Sequence, residues 1–392
     1  DVDFDNIAGI MLLTPWSDLA DLLSTADDHP PSAPKKDTGA AVVPPRKLST
    51  VWTQQDLDDA LKFASDNKGL LPPTVELESE FHVEFLFAHF ARDAPSKRRT
   101  TALKEEWKTV IRANLDVLSD RIGKMACGPY EFTLIEGARP VRTRPYPLSP
   151  VKKDALTKMV DVLLANDIIE PSTTSEWNSP LLLISKGNGR WRLCIDYRRV
   201  NELIPNAPVS YPRPEDVMET ITDAVFMLLM DGRDFYFQRE LAEHLRPVTT
   251  FTTHVMAYQF KRMPQGLRPS SAAAINPVTT LLRESLHVWA LMHCDDILSW
   301  AATERRSIDQ FAWVLSRFRE FGMTLGWFKI WILLEKATYV SHTIENGHVY
   351  PSPSMVKAID NVKPPNTVKL VQTFIGMCGY FAMYMPMMAT HR

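Results

Sequence analysis

The sequence predicts an α+β fold, with strands and helices interleaved in no regular strand–helix–strand order. Three observations carry this. From about Gly128 onward, apolar runs of strand length alternate with helical patterns. Gly187-Asn188-Gly189 stands between two such runs, and Asn-Gly supplies the positive φ angles that a tight hairpin turn demands. Residues 151–166 form an amphipathic helical pattern through Val151, Leu156, Met159, Val160, Leu163 and Leu164.

The elements follow in order. Residues 27–48 are rich in Pro, Ala and charge, the composition of a linker. Residues 49–68 offer Ser49 or Thr53 as a helix cap and place Leu57, Leu61 and Phe63 in a helical pattern. Residues 100–125 give another helix through Trp107, Val110, Ile111, Leu115 and Leu118. Residues 1–127 therefore read as an N-terminal spacer, partly helical and partly disordered, with no assignable chemistry. Residues 180–184 and 191–197 predict the two strands of the Asn-Gly hairpin. Residues 226–231 predict a strand ending on an acid, and 289–300 predict a second hairpin. Helices are expected over 307–321, 355–361 and 367–385.

Composition narrows the class. The chain is 45% hydrophobic and 23% charged, ordinary for a soluble globular protein, and its formal net charge of -3 does not announce a nucleic-acid binder. Attraction to phosphate has to come from local Lys and Arg clusters. Cys127, Cys194, Cys294 and Cys378 are dispersed and form no C-x-x-C pair, so neither a zinc site nor a disulfide framework is indicated. A reducing, cytoplasmic setting is expected. No apolar run approaches the roughly 18 residues of a membrane span, so no membrane association is expected. The chain opens on Asp1 without a signal-peptide pattern, as expected of a piece of a longer polyprotein.

The chemistry concentrates in carboxylates. Asp295 and Asp296 sit between two apolar segments, which places them at the tip of a hairpin, and Asp231 ends the strand-like run 226–231. Adjacent acids repel each other unless a cation neutralises them. Three converging carboxylates can hold two divalent ions roughly 3.5–4 Å apart, one activating an attacking hydroxyl and the other stabilising a leaving oxygen. Hard cations such as magnesium suit oxygen ligands. An isolated Asp-Asp pair is also an ordinary polar turn, and a two-metal nuclease would share the same carboxylate logic.

The context of these acids resembles a known family. In order along the chain stand Arg142-Thr-Arg-Pro-Tyr-Pro-Leu-Ser-Pro150, Ile168-Ile-Glu-Pro-Ser172, Ser175-Glu-Trp-Asn-Ser-Pro180 and Trp191-Arg-Leu-Cys-Ile-Asp-Tyr-Arg198 with Asn201. Then come Asp231 with Tyr236 and Gln238, Met263-Pro-Gln-Gly-Leu267, His293-Cys-Asp-Asp296, Lys329, Gly347 and Gly376-Met-Cys-Gly-Tyr380. From about Tyr130 the chain resembles the reverse transcriptase of gypsy-type LTR retrotransposons, relatives of the retroviral polymerases. The resemblance implies a right-hand polymerase. Fingers and a palm with an antiparallel sheet would occupy 128–350, and a truncated thumb would start in 351–392. It implies RNA- and DNA-directed DNA synthesis from deoxynucleoside triphosphates on a primed template, in the cytoplasm or inside virus-like particles.

It also implies residue roles. Asp231, Asp295 and Asp296 would hold two magnesium ions, with manganese as the alternative, and Gly232 would add a backbone carbonyl. Lys186 and Arg192 would grip the triphosphate, Tyr236 would act as the steric gate against a ribose 2′-hydroxyl, and Gln265 would touch the sugar and template. Lys329 would protonate the pyrophosphate, and His293 would stand where the family places a Tyr beside the primer end. As residues alone, Lys186, Arg192 and Lys329 are equally solvated surface charges, Tyr236 core filling and His293 a strand residue.

Several positions depart from the family. His293 replaces Tyr, Leu228-Leu229-Met230 replaces Ser-Lys-Leu, Ser270-Ser271-Ala-Ala-Ala274 replaces Ala-Pro-x-x-Phe, and Ser341 replaces Gly in Val340-Ser-His342. They keep open a decayed copy that folds and binds nucleic acid without catalysing.

Overall fold

The computed structural model describes residues 52–67, 70–71, 75–119, 121–185, 191–206, 221, 223–380 and 384. The expected linker at 27–48, the Gly187–Gly189 turn and Lys186 lie outside the described residues. Packing divides the chain into two units, one of 52–212 with 225–334, and one of 335–392 with 213–224 and the first 51 residues.

The first unit opens with α1 (Gln54–Asp66), started by a capping box: the Thr53 hydroxyl accepts from the Asp56 backbone while the Asp56 carboxylate accepts from the Thr53 backbone. Next come α2 (Glu80–Phe90) and α3 (Lys104–Ala113). α4 (Pro150–Ala165) carries Pro150 in its first turn, where its missing N–H costs nothing. After it come β1 (Ile169–Pro171), β2 (Leu181–Ser185), β3 (Trp191–Ile195), β4 (Phe226–Asp231), β5 (Phe251–Thr252), β6 (Ala257–Phe260) and α5 (Ser270–Leu282). β7 (Ala290–His293), β8 (Asp296–Ala301), α6 (Glu304–Glu320) and β9 (Trp331–Leu334) complete the unit.

Its main sheet is antiparallel, in the order β7-β8-β4-β9. β2 and β3 pair as an antiparallel hairpin, Leu181 opposite Ile195, and α4 packs against β3 and β1. The remaining sheet runs β1-β6-β5.

Helices α2 and α6 pack on the main sheet, and α3 packs on both helices. α2 was not evident as an amphipathic pattern because nine of its eleven residues are buried. A helix surrounded by protein shows no polar face to create the periodicity. Phe85, Phe90, Trp107 and Ile111 share one core with Leu228, Met230, Phe311 and Phe318. The boundary expected at 127/128 therefore does not divide the packing. The segment read as a spacer supplies a helical layer of the main sheet.

α2 also buries a neutral histidine. His89 is 3% exposed, and its Nε2 donates to the Phe328 carbonyl at 3.0 Å. Burial holds its pKa down to about 4, with Arg92 pushing the same way, while the Phe328 bond and Asp93 oppose. The folded value lies below the unfolded one of about 6.5. The unfolded chain therefore takes up the proton first. The stability contribution is complete above pH 6.5 and is lost as pH falls toward 4. The unfolding free energy from urea titrations is expected to fall across that window by on the order of 3 kcal/mol, and a His89→Gln variant should show a flatter profile there.

The second unit continues with β10 (Lys336–Tyr339), β11 (His342–Glu345) and β12 (His348–Pro351), an antiparallel meander. α7 (Pro353–Asp360) and α8 (Val368–Tyr380) follow. The C-terminal segment of this unit thus begins at Glu335, upstream of the thumb start expected at 351. Val340 and Ser341 join β10 to β11 at φ 46° and 62°. The two-residue turn needs positive φ at both positions, which accounts for the glycine that the resembled family places where Ser341 stands. Ser341→Gly should stabilise the protein by about 0.5–1 kcal/mol, read as a denaturation midpoint, with the freer unfolded glycine offsetting part of the relieved strain.

Candidate active site

β4 delivers Asp231 to one end of the main sheet. Its preceding residues form an almost unbroken apolar run because this central strand is covered on both faces. Leu228 and Met230 are 0% and 1% exposed, so this departure from the resembled motif is core packing. The β7–β8 hairpin brings His293 opposite Asp296, and the β4–β8 register sets Asp231 opposite Asp296. Cys294 and Asp295 close the hairpin, with Cys294 at φ 56°. The Gly232 N–H donates to the Asp295 carbonyl at 2.9 Å, tying the two acid-bearing ends together. A Cβ at Gly232 would lie 2.7 Å from the Phe235 ring, so any side chain there would have to displace that ring.

Lys329 ends the short turn Trp327–Lys329, and its Nζ donates to Asp231 Oδ2 at 2.8 Å. Gly326 N donates to the Asp231 carbonyl at 3.0 Å. Arg192, Asp231, Gly232, Gln265, Asp295 and Lys329 all line one cavity of about 600 Å³. Asp296 adjoins it by register. Lys158, Met159, Phe235 and Phe237 also line it; the sequence marked none of them as a site residue, and Met159 only as part of a helix pattern. Only the packing of α4 and of the turn after Asp231 brings them there. The Gln265 turn is braced from outside: Gly266 sits at φ 88°, its carbonyl accepts from Asn201 Nδ2 at 3.0 Å, and Ser270 Oγ donates to the Pro264 carbonyl at 2.6 Å. Ser270, one of the departures, thus holds the turn.

Besides Asp296, two predicted residues stand apart from the cavity lining. Tyr236 is 5% exposed, packed edge-on against Phe235, while its neighbours Phe235 and Phe237 line the cavity. Burial pushes its hydroxyl up to about 12, with Cys294 and Asp295 adding and a bond with Ser271 opposing. His293 is half-buried; burial lowers its pKa against the pull of Asp295, so the imidazolium is disfavoured there.

The carboxylates are crowded. Burial raises Asp231 to about 7; Lys329 opposes and Asp295 and Asp296 add to the rise. Desolvation and Asp295 raise Asp296 to about 6, against Lys329 and a hydrogen bond with Asp231. Lys329 loses hydration, which disfavours its charge, but Asp231 outweighs this and its pKa rises. Acids that bind protons this readily are short of cations, and three carboxylates are the donor set a hard divalent ion takes. Among the described residues, no three acid, His or Cys side chains stand close enough to form a metal cage by themselves. The donor chemistry fits a metal, and the remaining ligands would come from elsewhere.

Residues 184–344 match the family described as reverse transcriptase (RNA-dependent DNA polymerase). This part of the chain belongs to the reverse transcriptase family. The chain is 29% identical over 253 residues to the Pol polyprotein of the gypsy transposon of Drosophila melanogaster, covering 62% of this chain and 24% of that protein. It is 26% identical over 248 residues to the Pol polyprotein of transposon 412 of the same fly, covering 62% and 20%. Against the Gag-Pol polyprotein of avian reticuloendotheliosis virus it is 26% identical over 339 residues, covering 81% and 28%. The chain thus spans about a quarter of the length of these curated relatives. The foamy viral protease-reverse transcriptase bound to double-stranded DNA superposes with a TM-score of 0.68 at 19% identity, covering 81% of this chain and 55% of that one. The same viral protein with an RNA/DNA hybrid gives 0.66 at 19%, covering 81% and 42%. The fold is the right-hand polymerase, and β7-β8-β4-β9 is its palm sheet.

Proposed function

We propose that this chain extends a primer along an RNA or DNA template. The primer 3′-hydroxyl oxygen attacks the α-phosphorus of a deoxynucleoside triphosphate, a phosphodiester bond forms, and the α–β anhydride bond breaks to release pyrophosphate. One observation carries the reading: Asp231, Asp295, Lys329, Arg192 and Gln265 converge on one cavity of about 600 Å³, with Asp296 in register beside it.

Asp231, Asp295 and Asp296 are the residues that would hold two magnesium or manganese ions, which when bound would polarise the phosphate oxygens and activate the primer hydroxyl. The chain's own groups have separate tasks. Arg192 offers a planar fork of donors to the outer phosphates, a task that Lys186 would share by its place in the family motif. Lys329 stays protonated beside Asp231 and gives its proton to the departing pyrophosphate. Gln265, on a braced turn, orients the nucleotide against the template. Tyr236 limits the space at the sugar from beneath Phe235 and Phe237. Four cysteines that form no disulfide support a reducing, cytoplasmic setting.

Purified protein incubated with a primed homopolymer RNA, magnesium and the complementary deoxynucleotide is expected to extend the primer. Folded protein that extends nothing with either magnesium or manganese would overturn the proposal. Tyr236→Val should raise ribonucleotide use relative to deoxynucleotide use by about tenfold or more, since shape alone excludes one hydroxyl. An unchanged ratio of the two kcat/KM values would remove Tyr236 as the gate.

A further inference from the structure

The end of α2 grips the turn that carries Lys329. Arg92 Nη1 donates to the Ile330 carbonyl at 2.9 Å and Nη2 to the Phe328 carbonyl at 3.0 Å. The two residues flanking Lys329 are therefore held by one guanidinium. His89 Nε2 donates to the same Phe328 carbonyl. The guanidinium also lies 4.1 Å from the centre of the Trp331 ring, and Trp331 Nε1 donates to Asp93 Oδ2 at 2.7 Å. From the opposite side, Asp231 accepts from Gly326 N and Lys329 Nζ. The turn is fixed between helix and strand, with Lys329 at its end.

This arrangement is costly unless it serves a purpose. The partly buried guanidinium spends its donors on carbonyls, and burial lowers its pKa to about 10, Asp93 opposing. A lysine has a long flexible stem, so its tip is placed only when its backbone is. A planar fork that bridges two carbonyls two residues apart fixes that backbone in a way a point charge does not.

We propose that Arg92, assisted by His89 and Asp93, is a positioning residue that aims Lys329 into the active site. The segment upstream of the matched family residues is then part of the catalytic apparatus. This rests on the proposed role of Lys329 in polymerisation.

The test is a double-mutant cycle in the full chain, with kcat and nucleotide KM measured for Arg92→Ala, Lys329→Ala and the pair. Arg92→Ala should lower kcat by about tenfold or more with KM changed less than about twofold, because misplacement of a reacting group acts on the chemical step. In the Lys329→Ala background the same change should alter kcat less than about twofold, since the two act through one group. Arg92→Lys should fall between wild type and Arg92→Ala, and it decides the matter if the alanine variant does not fold. A second readout needs no polymerisation: labelling of Lys329 by an amine-reactive reagent, quantified by mass spectrometry relative to Lys62. Arg92→Ala, or Arg92→Lys if only that folds, should speed labelling several-fold by loosening the Asp231 pair. Equal kcat losses in both backgrounds, or unchanged Lys329 labelling in a folded variant, would overturn the proposal. Wild-type protein that labels as expected but extends no primer would instead sink the polymerase reading.

Discussion

Replacing Asp231 by asparagine is expected to lower primer extension by at least about a thousandfold while the protein stays folded. Asparagine keeps the size of the side chain and one carbonyl oxygen but loses the charge. Asp231 is 8% exposed and faces Asp295 and Asp296, so the ionised form is a burden on the fold. Its removal relieves repulsion at the cost of one ion pair with Lys329. Transition-state charge is another matter. A missing carboxylate would weaken the hold on the divalent ions that offset the developing phosphate charge, and such a preorganised positive charge is worth several kcal/mol there. Single-nucleotide incorporation, with thermal melting on the same samples, checks both halves. Asp295→Asn should behave alike. Wild-type rates in a folded Asp231→Asn protein would end the assignment.

Trp107→Ala should destabilise the first unit by about 3–5 kcal/mol, seen as a lowered urea midpoint. Trp107 is 0% exposed, packs against Phe311 on α6, and donates from Nε1 to Glu304 Oε1 at 2.9 Å. The substitution opens a cavity at the centre of the core and leaves the Glu304 carboxylate with one donor fewer. A chain that begins at Gly128 should fail to refold for the same reason, magnified over α1, α2 and α3. Were these helices a dispensable spacer, both changes would leave the midpoint where it is.

The local signals in the sequence were those that depend on near neighbours. Thr53, one of the two caps that the sequence offered, starts a helix, and the apolar runs around Asp231 and Asp295 form the strands that carry these acids at their ends. α2 and α5 were not legible. α2 is buried nearly all round, which erases periodicity, and α5 carries Ser270, Ser271 and Pro277, which weaken a helical signature. Ser341 read as a loss of function and is a strained turn residue. Ser270 read as a lost motif and braces the turn of Gln265.

The sequence by itself determined the fold class and the family, and it singled out the three carboxylates as candidates. Residue type and order along the chain suffice for those, because charge, apolar runs and motif spacing are one-dimensional quantities. Tertiary structure alone decided which groups share the cavity, that Tyr236 packs against Phe235 outside its lining, and that the upstream helices pack into the core of the main sheet. It also decided that Arg92 reaches across 236 residues to the Phe328 carbonyl and across 238 to that of Ile330. Contacts at such separations are set by how buried faces pack against one another, and a single chain read from end to end carries no local mark of its distant partner.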